Sequence, residues 1–348
     1  MSSIAKPFVP VQHLLRNEIG LTVRDYEGAM STLCAGCGHD SVTASLVRAL
    51  WELAVPPHRV AKLSGIGCSS KTPAYFLKGA HGLNSAHGRM APIATGANAA
   101  DRTLHYIGIS GDGDSLSIGL GHLAHAMRRN THMLYVLENN GVYGLTKGQF
   151  SASADLGSTS KRGVANALPP IDPMLLGLSL GATFLGRAFS GDKERLVPML
   201  MAALMHRGFA LLDVISPCVT FNSHEGSTKS YAFVRQHEVQ VNEVVPREEI
   251  VAAVPDDGTV DVAMHDGSLI RFRAVPDGHD PTDRMAVARY VEERHAKGEV
   301  VTGVLYADER VPDVHELNGT TEEPLRSLPH ARLCPGADEL RALQQQFR

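Results

Sequence analysis

Hydrophobic positions recur with two different periods along the first two thirds of the chain. In 43–54, Leu46, Leu50 and Leu53 share one helical face, with Asp40 or Ser41 as the predicted cap. Short apolar runs between such helical stretches predict β-strands at 59–64, 104–109, 133–137, 182–186 and 209–215. Because strands alternate with helices, the pattern predicts an α/β fold, a doubly wound and mostly parallel sheet with helices on both faces.

The pattern divides the chain into three segments. Residues 1–30 have no strong period and are predicted to form an N-terminal arm, whereas 31–235 carry the strand–helix alternation of the main domain. Residues 236–348 are predicted to be a C-terminal extension that packs on the core or on a partner subunit. This extension is expected to contain a β-hairpin in 259–273, a charged helix near 281–297 and a strand near 299–306.

Composition excludes several classes of protein. With 348 residues, a net charge of -4 and no basic block, the chain has no feature of a nucleic-acid-binding surface. The longest apolar stretch, 174–186, contains glycines and is too short to span a membrane. The first residues lack the pattern of a secretory signal, and the five cysteines therefore point to a reducing compartment, the cytoplasm.

Four cysteines form a set that packing alone does not explain. Cys34 and Cys37 make a C-A-G-C pair, Cys68 follows the first predicted strand, and Cys218 follows the strand at 209–215. Cysteine thiolates bind zinc or iron–sulfur clusters, and both kinds of site are compatible with these residues. Structural zinc favours two close pairs, and a redox-active dithiol at Cys34 and Cys37 leaves the other two cysteines unexplained. Cys334 matches no pattern.

A second polar group follows two other strands. The segment Gly111-Asp112-Gly113 comes after one strand, and Asn140 follows the next strand 28 residues later. Glycines let the backbone approach a diphosphate at a helix N-terminus, while an aspartate and an asparagine provide oxygen ligands for Mg²⁺. The backbone carbonyl of Val142 can complete the protein's share of the site. The long polar loop that follows, 141–170, is of a length that is usually functional.

These motifs resemble those of a known family. The Gly-Asp-Gly…Asn spacing resembles the thiamine diphosphate motif, and the residues after Asn140 resemble the corresponding loop of the β subunits of 2-oxoacid:ferredoxin oxidoreductases. The resemblance covers roughly 30–235 and extends to four further segments: Cys34-Ala-Gly-Cys-Gly-His39, Gly65-Ile-Gly-Cys-Ser-Ser-Lys71, His87-Gly-Arg89 and Pro217-Cys-Val-Thr-Phe221.

The resemblance implies the cofactors and their ligands. It identifies 31–235 as the diphosphate-binding half of a thiamine diphosphate-binding fold that also carries a [4Fe–4S] cluster. In this family the four matching cysteines, Cys34, Cys37, Cys68 and Cys218, hold the cluster. The same likeness assigns Mg²⁺ to Asp112, Asn140 and Val142. It assigns thiamine diphosphate to Gly67, Cys68, Ser69, His87, Gly111, Asp112, Gly113, Asp114, Asn140, Val142, Gly144 and Leu145.

The resemblance also implies the reaction. Members oxidatively decarboxylate a 2-oxoacid with coenzyme A and pass electrons through the cluster to ferredoxin, or run the reverse carboxylation. Lys71 is expected to pair with the distal carboxylate of 2-oxoglutarate, which would give succinyl-CoA and CO₂ as products. Leu145 is expected to shape the pocket, and His87 to contact the cofactor. General acid–base catalysis is a second role that a histidine at this position allows.

Competing interpretations remain open at this point. A pyruvate or other 2-oxoacid enzyme of the same family would share every motif. A non-redox thiamine diphosphate decarboxylase would not need the cysteine set, and a pure electron-transfer subunit would not need Asp112 and Asn140. The family's cofactor-activating glutamate lies in another domain, which this chain does not resemble. An α subunit, in an α₂β₂ assembly, is therefore the expected partner.

Overall fold

A computed structural model of the protein describes residues 14–159, 163–245, 259–273, 279–334 and 336–348. Its strands are β1 (Val60–Ser64), β2 (His81–Asn84), β3 (His105–Gly111), β4 (Met133–Asn139), β5 (Val142–Tyr143), β6 (Gln149–Phe150), β7 (Phe184–Phe189), β8 (Phe209–Ile215), β9 (Glu238–Gln240), β10 (Glu243–Val244), β11 (Val260–Ala263), β12 (Leu269–Arg273) and β13 (Val300–Ala307).

Helices connect most of these strands. The α-helices are α1 (Gly38–Glu52), α2 (Thr72–Tyr75), α3 (Met90–Ala100), α4 (Leu120–Arg128), α5 (Pro173–Leu180), α6 (Lys193–Met205), α7 (Tyr231–His237), α8 (Arg284–His295), α9 (Val314–Asn318), α10 (His330–Leu333) and α11 (Ala337–Gln345). Shorter turns are 3₁₀ at Val23–Tyr26, Pro57–Arg59, Ser69–Lys71 and Leu325–Ser327, and π-helical at Gly113–Ile118. No helix among the described residues is long and apolar enough to cross a membrane.

One large sheet organises the fold, in the order β2-β1-β3-β4-β8-β7-β13-β9. The six strands from β2 to β7 are parallel, and β13 pairs antiparallel with β7. The central strands β4 and β8 are buried at every position, as expected for a parallel sheet with helices on both faces. The α/β fold predicted from the hydrophobic pattern is confirmed.

Two hydrophobic layers flank the sheet. One contains Leu46 and Leu50 of α1 together with Leu200 of α6, and the other contains Leu123 and Met127 of α4. The periodicity predicted from the sequence for 43–54 therefore identified the inward face of α1 correctly.

Helix α1 begins earlier than predicted. The sequence placed its start near residue 43 with Asp40 or Ser41 as the cap, but the helix starts at Gly38 and Cys37 occupies the cap position. The reason is tertiary: the Gly38 N–H donates to the carbonyl of Pro217 at 3.2 Å, which replaces a side-chain cap. A Cβ atom at Gly38 would lie 2.6 Å from the backbone of Ser216, so this close approach requires glycine.

The segment after residue 236 shares the large sheet. Strands β9 and β13 belong to it, and β13 lies directly against β7. The predicted hairpin is present as β11 and β12, which form a small sheet with β10. Strands β9 and β13 of this segment thus pack on the core, and the domain boundary at residue 236 stays a prediction. Of the predicted N-terminal arm, 1–13 lies outside the described residues, and Tyr26 is buried in the core.

Asn130 ties the C-terminal segment to the sheet. Its Oδ1 accepts from the Thr183 hydroxyl and from the Phe209 N–H, each at 2.7 Å. Its Nδ2 donates to the carbonyl of Pro312 at 3.2 Å. The residue is buried and has a left-handed φ of 49°, a conformation that asparagine tolerates better than most residues.

We expect Asn130→Ala to lower the free energy of unfolding by about 2–3 kcal/mol, because it leaves the buried N–H of Phe209 without an acceptor. Chemical denaturation followed by circular dichroism measures the change. Asn318→Ala removes an exposed asparagine and is the matched control, with an expected effect below about 0.5 kcal/mol. Equal stability of the two variants would contradict this role for Asn130.

Candidate functional site

The carboxyl ends of four parallel strands meet at one edge of the large sheet. Strands β1, β3, β4 and β8 lead into the loops that carry Cys68, Asp112, Asn140 and Cys218. Ligand sites of open α/β sheets lie outside the carboxyl ends of the strands. The fold thus places the two polar groups identified in the sequence at the same edge.

The carboxylate of Asp112 is buried and held in a fixed orientation. Its Oδ2 accepts from the Gly141 N–H at 2.8 Å and from the hydroxyls of Ser151 and Ser153, the latter at 2.6 Å. Burial raises the pKa of Asp112, and these hydrogen bonds act in the opposite direction. A buried, preoriented carboxylate of this kind fits a divalent cation, which would favour its ionised form.

Asn140 faces the same space from the end of β4. Its Oδ1 accepts from the Val142 N–H at 3.0 Å, and its backbone carbonyl accepts from Nδ2 of Asn222 at 2.8 Å. Gly141 has a φ of 75°, and a Cβ atom there would lie 2.6 Å from Nδ2 of Asn222. The turn from Asn140 to Val142 is therefore tight, and the oxygen-rich donor set fits Mg²⁺.

Glycines lie next to Asp112 and Asn140. A Cβ atom on Gly113 would lie 2.5 Å from the ring of Tyr143, whose hydroxyl donates to the carbonyl of Gly113 at 2.9 Å. A Cβ atom on Gly111 would lie 3.1 Å from Oγ of the buried Ser69. Glycine is therefore required at 113 by packing against Tyr143, and glycine at 111 lets the backbone approach Ser69 closely.

The four cysteines come together on the other side of the loop that follows Asn140. A Cβ atom on Gly144 would lie 3.4 Å from Sγ of Cys68 and 3.7 Å from Sγ of Cys218. Cys34 accepts a hydrogen bond from the Thr220 hydroxyl, two residues after Cys218, at 3.6 Å. Since α1 starts at Gly38 against Pro217, Cys37 joins the same group.

The thiols interact electrostatically. Burial raises the pKa of Cys37 to about 12, with a smaller contribution from Cys218, and burial also raises the pKa of Cys68. Among the described residues, no group of three or more His, Cys, Asp or Glu side chains is arranged to hold a single metal ion. Four free thiols at one site are the donor set that an iron–sulfur cluster uses.

Two buried ionisable side chains lie between the thiols and the carboxylate. Glu138 accepts from the Thr72 hydroxyl at 3.0 Å and lies 3.5 Å from Nδ1 of His39, whose Nε2 is 3.5 Å from Nδ2 of Asn140. Burial raises the pKa of Glu138 and lowers the pKa of His39 to about 4. The pair links the cysteine loops to the strand end that carries Asn140.

His87 and Asp114 form a pair at the mouth of the site. Nδ1 of His87 lies 2.5 Å from Oδ1 of Asp114, a close contact without the alignment of a hydrogen bond. Both Asp114 oxygens also accept hydrogen bonds from the protein, from the Gly88 N–H at 2.7 Å and the Ser110 hydroxyl at 2.6 Å. Asp114 therefore holds the His87 loop in place rather than presenting free oxygens.

The remaining predicted residues lie on the rim. Lys71 is half-buried at the end of the turn after Cys68, and its charge lowers the pKa of the Cys68 thiol against the larger effect of burial. Within the described parts of the chain, Lys71 has no carboxylate partner. Leu145 is 52% exposed in the loop between β5 and β6.

Sequence reasoning missed several supporting residues. Ser151 and Ser153 orient Asp112 from a polar loop in which no residue stood out. Lys62 is buried in β1, and its ammonium donates to the carbonyls of Pro73, Phe76 and Leu77 at 2.7–2.9 Å. A lysine inside an apolar strand was the only available signal for it.

Comparisons with known proteins agree on one family. Residues 65–214 match the family described as "Thiamine pyrophosphate enzyme, C-terminal TPP binding domain". The chain is 42% identical over 190 residues to the 2-oxoglutarate oxidoreductase subunit KorB of Mycobacterium tuberculosis, covering 54% of this chain and 50% of that protein. It is 40% identical over 199 residues to the 2-oxoacid:ferredoxin oxidoreductase subunit beta of Saccharolobus solfataricus, covering 57% and 65%.

Two further matches cover more of their targets. The chain is 30% identical over 214 residues to the 2-oxoglutarate synthase subunit KorB of Methanocaldococcus jannaschii, covering 60% of this chain and 78% of that one. A solved structure, 2-oxoglutarate:ferredoxin oxidoreductase from Magnetococcus marinus with 2-oxoglutarate, coenzyme A and succinyl-CoA bound, superimposes with a TM-score of 0.70 at 30% identity. That match covers 90% of this chain and 95% of the other. The chain spans half to about two thirds of the length of the first two relatives.

We expect Gly113→Ala to lower the free energy of unfolding by about 1–3 kcal/mol, because the new methyl group would overlap the Tyr143 ring. Gly121→Ala is the matched control: it lies in α4 with open space around its Cβ position, so we expect no loss of stability. Thermal unfolding of both variants measures the difference. A Gly113→Ala variant as stable as the unmodified chain would contradict the packing described for the site.

Proposed function

Because the chain belongs to the family of 2-oxoacid:ferredoxin oxidoreductase β subunits, we propose that it forms the cofactor-binding half of an enzyme that oxidises 2-oxoglutarate. The C1–C2 bond of the substrate breaks and releases CO₂, while a bond forms between C2 and the sulfur of coenzyme A to give succinyl-CoA. The thiol proton is released, and the electron pair passes in single steps to ferredoxin. The same site could run the reaction in reverse.

One observation carries this proposal. The Asp112–Asn140 donor set and the thiols meet at a single loop. The Gly141 N–H of that loop donates to Asp112, and a Cβ atom on Gly144 would lie 3.4 Å from Sγ of Cys68 and 3.7 Å from Sγ of Cys218. A thiamine enzyme without redox chemistry does not require the four thiols, and an electron carrier does not require the buried carboxylate of Asp112. The juxtaposition favours an enzyme that combines both.

In this proposal the chain's own residues hold the cofactors. Asp112, Asn140 and the carbonyl of Val142 bind Mg²⁺, and the backbone near Gly111 and Gly113 receives the diphosphate with Ser69. Thiamine diphosphate supplies an electron sink for decarboxylation when bound. Cys34, Cys37, Cys68 and Cys218 hold a [4Fe–4S] cluster, which accepts electrons one at a time.

Substrate recognition is assigned to the rim. Lys71, which has no carboxylate partner in the described structure, pairs with the distal carboxylate of 2-oxoglutarate. Leu145 packs against the carbon chain of the substrate. His87, held by Asp114, contacts the cofactor or exchanges a proton with the substrate.

A partner subunit completes the active site. Several large apolar side chains around the loop after Asn140 are exposed in the single chain, namely Leu145, Leu156, Val164 and Leu168. An α subunit that covers them would also supply the glutamate that activates thiamine diphosphate. We propose an α₂β₂ enzyme that works in the cytoplasm with ferredoxin as electron acceptor.

The decisive test is anaerobic co-expression of the full chain with the α subunit of the same organism. We expect the purified complex to contain thiamine diphosphate, iron and sulfide, and to reduce ferredoxin or a viologen when 2-oxoglutarate and coenzyme A are present. Assays with pyruvate and branched-chain 2-oxoacids measure specificity. A complex that releases CO₂ without reducing any acceptor would instead indicate a non-redox decarboxylase.

We expect Cys218→Ser to abolish 2-oxoglutarate-dependent viologen reduction and to lower the iron content of the complex, because a serine hydroxyl is a poor substitute for a thiolate ligand. Thiamine diphosphate content should remain. Cys334→Ser changes an exposed cysteine outside the set and should leave iron content and rate unchanged. Full iron content in the Cys218→Ser complex would show that Cys218 is not a ligand of the cluster.

We expect Lys71→Met to reduce kcat/KM for 2-oxoglutarate about 10–100-fold, the loss that corresponds to one charged hydrogen bond of about 1.5–3 kcal/mol. Turnover of pyruvate should change little, because pyruvate has no distal carboxylate. Lys78→Met alters an exposed lysine nearby and serves as the control. Parallel losses for both substrates would show that Lys71 does not recognise the distal carboxylate.

A further inference from the structure

A series of buried hydrogen bonds begins at Asp112 and leads away from the site. The Ser153 hydroxyl lies 2.6 Å from Oδ2 of Asp112 and 2.8 Å from Oδ1 of Asn139. All three side chains are buried. A hydroxyl has a single hydrogen, so Ser153 must share it between the two acceptors.

The next contacts fix the amide of Asn139. Its Nδ2 donates to Oδ1 of Asp213 at 2.9 Å, across the paired strands β4 and β8. A carboxylate accepts hydrogen bonds and donates none, so the NH₂ group of Asn139 must face Asp213. The carbonyl oxygen of Asn139 is thereby turned toward Ser153.

Arg187 holds Asp213 from the neighbouring strand β7. Its Nε donates to Oδ2 of Asp213 at 2.7 Å, and its Nη2 donates to Oδ2 of Asp172 at 2.6 Å. Asp172 caps helix α5 through its other oxygen, which accepts from the backbone N–H of Met174 and Leu175. The guanidinium is thus fixed at two points.

We propose that the ion pair of Arg187 and Asp213 sets the affinity of the Asp112–Asn140 site for its divalent cation, acting through Asn139 and Ser153. This inference rests on the proposed function, since it takes Asp112 as a cation ligand. We call Arg187, Asp213, Asn139 and Ser153 the relay. None of them binds the cation directly, and Arg187 and Asp213 are positioning residues.

The physical argument is one of hydrogen-bond polarity. With Asp213 in place, Asn139 competes for the hydrogen of Ser153, and Asp112 receives only part of it. Without the charge on Asp213, the Asn139 amide can turn and donate to Ser153, which then gives its hydrogen wholly to Asp112. A carboxylate oxygen that accepts a stronger hydrogen bond donates less electron density to a cation, so the affinity of Asp112 for the cation falls.

A contribution to stability alone does not explain a buried ion pair such as that of Arg187 and Asp213. Apolar side chains of similar volume stabilise a protein interior about as well as a buried ion pair does. The pair is also connected to Asp112 by hydrogen bonds through the side chains of Asn139 and Ser153. The geometry therefore favours a role for this ion pair in positioning Asn139 and Ser153.

Calorimetric titration of the cofactor-depleted complex of the full chain and its α subunit with thiamine diphosphate, at a series of Mg²⁺ concentrations, tests the proposal. We expect Asp213→Asn to raise the Mg²⁺ concentration for half-maximal binding about 10-fold, the lower end of typical second-sphere effects. The matched control is Asp261→Asn, which weakens the ion pair of Asp261 with Arg271 in the small sheet. We expect it to have no effect on Mg²⁺ dependence.

A double-mutant cycle separates this mechanism from general destabilisation. If the effect passes through Ser153, Asp213→Asn should change Mg²⁺ affinity by less than about 2-fold in a Ser153→Ala background. An undiminished 10-fold effect in that background would overturn the proposal. So would unchanged Mg²⁺ affinity in Asp213→Asn itself.

A second measurement does not depend on the cofactor. Hydrogen exchange of the cofactor-free chain should be faster in the 139–153 peptide of Asp213→Asn than in the unmodified chain or in Asp261→Asn. If the complex of the unmodified chain with the α subunit bound no thiamine diphosphate, the proposed function would fail, and exchange would still decide on the relay. Unchanged exchange in this peptide would refute the relay.

Discussion

The parallel pairing of β1, β3, β4 and β8 is the constraint on which the rest of the structure depends. The register sets Ser64 beside Ile109, Gly111 beside Glu138, and Asn139 beside Ile215. All four strands therefore end at the same edge of the sheet, and the loops that follow them must share that space. Side chains far apart in sequence come together because the backbone hydrogen bonds permit no other alignment.

Buried carboxyl groups are the second feature of this edge of the sheet. The carboxyl groups of Asp112, Asp114 and Glu138 are all buried, and each has its own hydrogen-bond donors from the protein. Burying a carboxylate is costly unless it is paired or hydrogen-bonded. The donors come from several different loops, so these carboxylates fix the loops relative to one another.

The C-terminal segment completes the sheet on the side of β7. Strand β13 covers β7 in antiparallel pairing, so β7 is not an exposed edge. The same strand β7 carries Arg187, and His295 at the end of α8 lies 3.6 Å from Asp172, a partner of that arginine. Residues after 236 thus protect the buried ion pair from solvent, although they carry no part of the motifs at the site.

The sequence by itself determined which elements form and which residues follow the strands. Hydrophobic periodicity is local, and Asp112, Asn140 and Cys218 were identified because they directly follow apolar runs. The four cysteines were also identified from the sequence, but the prediction of an iron–sulfur cluster rather than zinc depended on the family resemblance. Only the tertiary structure decided that α1 starts at Gly38, because its first N–H donates to Pro217.

The same holds for the groups that support the site. Ser153 and Asp112 are 41 residues apart, and Asn139 and Asp213 are 74 apart. No local pattern in the chain distinguishes Ser153 from the other hydroxyl residues of its loop. The hydrogen bonds of Ser153 and Asn139 form because sheet register and loop packing bring distant residues together. No single segment of the sequence predicts such long-range contacts.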